Sequence, residues 1–279
     1  LLKWVPGAGS STTVASAAAI TTALGTSPFF VGMTYYNSAL YLTTFHGIVK
    51  ITTAGAISLL TGSVDASKNG CTNGTLAATT WGQLGHLTSD GGGNLYVPDT
   101  GCCAIRAVPL VSGSVTTYAG VLGTCGYVDN VAQTSMQMNA PTDFLYRIGG
   151  GSSYVLDNGN SVIRQINTLG NATSIGSPPS VHTTTVFGSA AASRYSAAIA
   201  ATSDGTKLYA LGGNTTSLFT VALADGTSAN LGGSWTGATA IAKIGSTLYI
   251  GVNNGTIHTT DLSGANDTIV VGTAGATYP

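Results

Sequence analysis

Charge is what this sequence has least of. Asp, Glu, Lys and Arg make up 7% of its 279 residues and leave a formal net charge of -1, where an ordinary soluble domain is about 25% charged. A chain so nearly neutral lacks the field that attracts nucleic acid or an anionic membrane, so neither is expected as a partner. No apolar run reaches the roughly 18 residues of a spanning helix, so no membrane span is expected. Helical periodicity is nearly missing too. The one Ala-rich run, residues 12–23 (TTVASAAAITTA), carries enough β-branched residues to read as a strand or a connection. The first residue is Leu1 rather than Met, as in a processed product or a fragment. Catalytic motifs are also wanting. There is no G-x-S-x-G elbow, H-E-x-x-H or P-loop, and the Gly-rich SDGGGN leads into no helix. The expectation is a chain without catalytic residues, cofactor or metal.

What the sequence does have is Gly, Thr, Ser and Ala, arranged as a repeat. Residues 38–62 align with 93–120, 152–176, 206–233 and 246–275. Each copy is an aromatic-centred strand, a polar turn, an alternating strand, a Gly turn and a third strand. The anchoring tyrosines are Tyr41, Tyr96, Tyr154, Tyr209 and Tyr249, at separations of roughly 40 to 58 residues. A further short apolar strand precedes each Tyr, which makes four strands per repeat. Four short antiparallel strands at this period describe the blade of a β-propeller. Alternation in IVKIT and IRAV buries every second residue against a neighbouring blade, and Asp-Gly and Gly-Asn turns reverse the chain.

The best-preserved copies carry Tyr96, Asp99, Gly101, Ile105, Arg106, Gly113, Val115, Thr116 and Gly120, and again Tyr154, Asp157, Gly159, Ile163 and Arg164. This run resembles the NHL-repeat family of β-propellers, over roughly residues 82–176. The other copies keep the strands and lose Asp and Arg. The resemblance implies an all-β propeller of four-stranded antiparallel blades. Residues 1–17 align with the third and fourth strands of a blade, so the expected ring is six-bladed, with five full blades and a half blade in one domain spanning 1–279. The half blade and its connection occupy 1–27; the full blades occupy 28–62, 82–120, 142–176, 190–233 and 235–275. A half blade leaves unpaired strands, which invite strand addition from another chain.

Four cysteines, Cys71, Cys102, Cys103 and Cys125, fall within two adjacent blades. Cys71 and Cys125 occupy equivalent interblade loops, and Cys102 and Cys103 share the turn of the blade between them. Neighbouring cysteines seldom bond each other because the ring is strained. Cys71 is therefore expected to pair with one of the two and Cys125 with the other, most simply Cys71 with Cys102 and Cys103 with Cys125. No C-x-x-C spacing supports zinc, and disulfides point to an oxidising compartment. Five N-x-[ST] sequons, at Asn73, Asn171, Asn214, Asn254 and Asn266, mark candidate N-glycans. Sugars would supply the hydrophilic cover that so few charges leave missing.

Other candidates have structural readings. Asp99 and Asp157 recur from blade to blade and are expected to bond the backbone of their own turns, with Arg106 and Arg164 packing between blades and pairing with them. Asp90 and Asp204, each in TSDG, read as turn residues, and DASKNG offers calcium only Asp65. Some NHL-like propellers are lyases that hold zinc with central histidines. Of His46, His86, His182 and His258, only His86 falls on an inner strand, so that site does not carry over. Trp4, Trp81 and Trp235 sit at non-equivalent positions, as packing residues do. The whole reads as a secreted, non-enzymatic glycoprotein that binds other protein chains or itself through the terminal half blade, in an extracellular or cell-surface filament. A metal-dependent propeller lyase or hydrolase and a glycan-binding propeller are the alternatives.

Overall fold

The structure, a computed structural model, describes residues 2–4, 11–65, 67–129, 131–146, 152–160, 162–166, 171–174, 200–212, 217–222 and 227–272. Its first strands, β1 (Leu2–Trp4) and β2 (Ser11–Thr13), pair antiparallel as a two-stranded sheet, and α1 (Ala17–Leu24) follows. Blade 1 is β3 (Gly32–Tyr36), β4 (Ala39–Thr43), β5 (His46–Thr52) and β6 (Ile57–Ser63). Blade 2 is β7 (Gly74–Thr75), β8 (Thr88–Ser89), β9 (Asn94–Asp99), β10 (Ala104–Pro109) and β11 (Ser114–Ala119). Blade 3 is β12 (Val131–Ala132), β13 (Pro141–Leu145), β14 (Ser153–Asp157), β15 (Val162–Ile166) and β16 (Asn171–Ser174). Blade 4 is β17 (Ala200–Ser203), β18 (Lys207–Gly212), β19 (Ser217–Ala222) and β20 (Ser228–Gly232). Blade 5 is β21 (Ala238–Ile244), β22 (Thr247–Val252), β23 (Thr256–Asp261) and β24 (Thr268–Val271).

The fold is thus an all-β propeller of antiparallel blades with five blades, not six with a half blade. Two departures from the expectation explain the difference. Among the described strands β1 and β2 pair only with each other, so the aligned third and fourth strands form no blade. The run read as a strand or connection is instead the helix α1. Ser16 caps it by accepting from the Ala19 amide at 3.1 Å, and Gly25 ends it in a left-handed conformation at φ +75°. Good end caps and a buried Ile20 outweigh the weak propensity of its β-branched residues. The helix lays Ile20 against Leu42, Val49 and Ile51, the face that blade 1 turns away from blade 2.

Period-2 alternation sorts each strand between two neighbours. In β9, Leu95 and Val97 pack toward blade 1 with Tyr41 and Ile48, while Tyr96 points toward blade 3 and meets Phe144 and Val155. Tyr154 and Leu156 meet Leu208 and Val221 of blade 4. Tyr209 and Leu211 meet Leu248 and Ile250 of blade 5. Tyr41, Tyr96, Tyr154 and Tyr209 therefore each reach toward the next blade, and the core is a series of interblade layers. Blades 2 and 3 gain a fifth strand from the preceding loop: β7 pairs with β11, and β12 with β16. These additions cover outer edges that would otherwise be open to pairing.

Innermost strands approach closely. Gly85 lies against the Thr142 carbonyl of blade 3, where a Cβ would collide with backbone, and a Cβ on Gly32 would sit 2.7 Å from the His86 Cα. The Thr43 hydroxyl donates to the Gly85 carbonyl at 2.9 Å, and the His86 amide donates to the Thr142 carbonyl at 3.0 Å. The start of the inner strand of blade 2 is so fastened to both neighbours.

Candidate functional site

Two features stand out: a pinned pair of interblade loops, and the channel that the inner strands enclose. The first follows from the turn that opens with Asp99. Cys102 and Cys103 are buried there, and Cys103 takes φ +56°, ψ +36°. This left-handed conformation costs an L residue roughly 1 kcal/mol and sends successive side chains to different loops. Cys71 is bonded to Cys102, with Cα atoms 5.7 Å apart, and Cys103 to Cys125, with Cα atoms 5.2 Å apart. One turn thereby clips the loop entering its own blade and the loop leaving it.

The same loops are held again by buried charge. Arg106 and Asp99, both inaccessible to solvent, pair at 2.9 Å. The guanidinium also donates to the Thr72 carbonyl at 2.6 Å and the Thr80 carbonyl at 3.3 Å, and lies 4.5 Å from the Trp81 ring centroid. The other Asp99 oxygen accepts from the Gly82 amide at 3.0 Å. Blade 3 repeats the arrangement. Arg164 pairs with Asp157 at 2.9 Å and with Asp129 at 3.2 Å, donates to the Val128 and Gln137 carbonyls, and lies 5.0 Å from the Tyr127 ring centroid. Asn160, at the position equivalent to Cys102, donates to the Gly126 carbonyl at 2.8 Å, a hydrogen bond where blade 2 has a disulfide. Asp99 and Asp157 thus reach beyond their own turns to the loop between blades. Burial pushes both carboxyls up, to about 6, against the pull of Arg106 on the first and of Asn160, the Asn139 amide and Arg164 on the second.

The channel is a cavity of about 760 Å³ bounded by β3, β8, β13, β17 and β21, one strand from each blade, and by α1. Its lining is largely apolar, with Thr88, Thr202 and Thr239 adding hydroxyls and His86, Asp143 and Lys243 adding charge. The His86 Nδ1 stands 3.8 Å from an Asp143 oxygen. Burial works against a charged imidazole, but Asp143 and the Val31 backbone outweigh it and raise the His86 pKa above its ordinary value. His86 thereby ties three blades together: its own, blade 1 at Val31 and blade 3 at Asp143.

The remaining candidates stay separate. The His46 ring meets the Gly82 carbonyl at 2.9 Å, His258 meets Asp267 at 3.0 Å, and His182 lies outside the described residues. No group of three or more potential metal ligands occurs among the described residues. Trp81 is buried and donates to the Thr61 hydroxyl; Trp235 is buried and donates to Asp267. Asp65 accepts from the Ser67 amide and hydroxyl, as a turn residue does. Asn73, Asn254 and Asn266 are exposed, Asn171 begins β16, and Asn214 lies outside the described residues. The Asn73 amide donates to the Thr117 hydroxyl at 3.0 Å, and the Asn254 carbonyl oxygen accepts from the Thr256 amide and hydroxyl. Sequence reasoning missed the channel and the fifth strands. A signal for the latter exists in the paired segments NGTLAATT and NVAQTSMQ, which lead into the same turn in both loops.

No family model and no curated protein matches the sequence. Solved structures do. A chain of the crystallised nidogen/laminin complex superposes with a TM-score of 0.59 at 13% identity, over 86% of this chain and 78% of that one. Virginiamycin B lyase from Staphylococcus aureus superposes with a TM-score of 0.54 at 12% identity, over 89% of this chain and 85% of that one. At such identities the likeness establishes the propeller fold.

Proposed function

We propose that this chain is a non-enzymatic, secreted and N-glycosylated propeller of NHL-like type, which works by binding protein chains, its own copies first, in an extracellular or cell-surface filament. One observation carries the reading. Tyr41, Tyr96, Tyr154 and Tyr209 are each buried against the following blade, whereas Tyr249 is only half-buried. It lies on the face of blade 5 turned away from blade 4, beside Thr247, Ile257 and Thr259. No residue of that face is buried among those described, and Ile244 at its edge is 65% exposed. The proposed occupant is the β1–β2 sheet of a second copy. Those strands pair with no blade among the described residues, and their sequence matches the third and fourth strands of one.

Other findings support the setting. Two disulfides suit an oxidising compartment, and no helix among the described residues is long and apolar enough to cross a membrane. The nidogen/laminin neighbour comes from a protein–protein complex. Light scattering coupled to size-exclusion chromatography at micromolar concentration tests the reading. Concentration-dependent oligomers are expected, lost on deletion of residues 1–13 and on Tyr249→Arg. A monodisperse monomer would refute self-association. A lyase or hydrolase reading has in its favour the His86–Asp143 pair in the channel and the lyase neighbour; stoichiometric metal in purified protein would favour it.

A further inference from the structure

We propose that the channel is a binding site for a small amphipathic monoanion, a single carboxylate or comparable anionic head on a hydrocarbon body. Its volume, about 760 Å³, lies within the roughly 300–1,000 Å³ of small-molecule sites. The walls supply the hydrocarbon half of the match through Ile20, Phe30, Leu42, Leu87, Phe144 and Ile241. Three charged side chains line the cavity, and two of them answer each other, since His86 and Asp143 stand 3.8 Å apart. Lys243 is the third. It pairs with no carboxylate among the described residues, and its ammonium donates to the Gly245 carbonyl at 2.7 Å. A lysine has three N–H donors and one is used there, so an ammonium with spare donors stands at the exposed edge of an apolar cavity. The complementary ligand carries one negative charge and an apolar body. Burying that body removes it from water, and the head group balances Lys243.

This inference is independent of self-association, because the cavity is bounded within one chain. The test uses the whole protein and the fluorescent anion 1-anilinonaphthalene-8-sulfonate, with decanoate, decanol and decylammonium as competitors of one chain length. Decanoate is expected to displace the dye at concentrations at least tenfold below those needed for the other two. Lys243→Gln is expected to erase that preference while leaving competition by decanol unchanged, and Ile20→Trp, which fills the cavity, to abolish all three. Equal competition by the three compounds, or none, would overturn the proposal. So would a decanoate preference that survives Lys243→Gln, since the anion would then be held elsewhere. If Lys243→Gln does not fold, the charge preference of the unaltered protein, weakened by added salt, decides the question.

Discussion

Arg106→Met removes the guanidinium that pins the loop entering blade 2 and keeps most of the side chain's bulk. Asp99 would be left inaccessible to solvent without its countercharge, and the Thr72 and Thr80 carbonyls would each lose the guanidinium and keep only the long backbone bonds they accept from each other's amides. Breaking a buried pair by removing one member costs about 3–5 kcal/mol. For a chain of this size each kcal/mol moves Tm by about 2–4 °C, so a fall of roughly 6–20 °C is expected. Asp99→Asn keeps an oxygen for the Gly82 amide while discharging the partner. The double variant therefore strands no buried charge, and it should lose less than the two single variants together, with a coupling of at least about 1 kcal/mol. Urea unfolding with the disulfides intact, followed by tryptophan fluorescence, measures all three, because Trp81 stacks on the guanidinium. A loss under about 1 kcal/mol for Arg106→Met, or strict additivity in the cycle, would refute the claim that charge pairing holds this loop.

Removing the clip between Cys71 and Cys102, whose positions are separated by 31 residues, should cost about 3–4 kcal/mol by loop closure. Cys71→Ser/Cys102→Ser combined with Arg106→Met should be non-additive, since both hold one loop; a double-mutant cycle in urea reads this. Gly85→Ala would drive a methyl into the Thr142 carbonyl and should cost about 1–3 kcal/mol, whereas Gly92→Ala, with only ordinary contacts around it, should be near neutral by the same measurement. Stability should peak in mildly acidic solution. The raised His86 pKa gives stability present below pH 6.5 and lost as pH rises through the folded-state value, and the raised Asp99 and Asp157, at about 6, add a loss between roughly pH 4 and 6 as pH rises. The lowered Asp90, Asp204 and Asp261, held by turn amides and side-chain donors, give stability present above about pH 4 and lost below it. Thermal scans from pH 3 to 9 that instead peak above pH 8 would contradict these signs; His86→Gln should flatten the alkaline limb.

Local pattern made much of the fold legible and left its closure hidden, and the tyrosines show why. Alternation at Leu95, Tyr96 and Val97 is a property of a single strand, so two-sided burial of a blade can be read from a few residues. The repeated Asp and Arg could likewise be paired from spacing, because Asp99 and Arg106 lie across one hairpin. What spacing could not supply was the second half of each contact: the carbonyls at Thr72 and Thr80 belong to a loop 26 to 34 residues upstream. Blade number is harder still. Residues 1–17 resemble half a blade, and a strand pattern says nothing of whether partners exist. The helix α1 escaped notice for a related reason. Its caps, Ser16 and Gly25, were visible, but eight residues with two adjacent threonines are decided by what Ile20 packs against, which lies on β4 and β5. The channel's lining comes one short strand at a time from five blades, so its charge balance exists only in the folded ring. Tyr249 ends the same logic. By sequence it equals the other four tyrosines, and among the described residues it alone of the five is half-exposed. The surface proposed to bind a second copy is therefore an interblade face like the others, distinguished by position in the ring and not by composition.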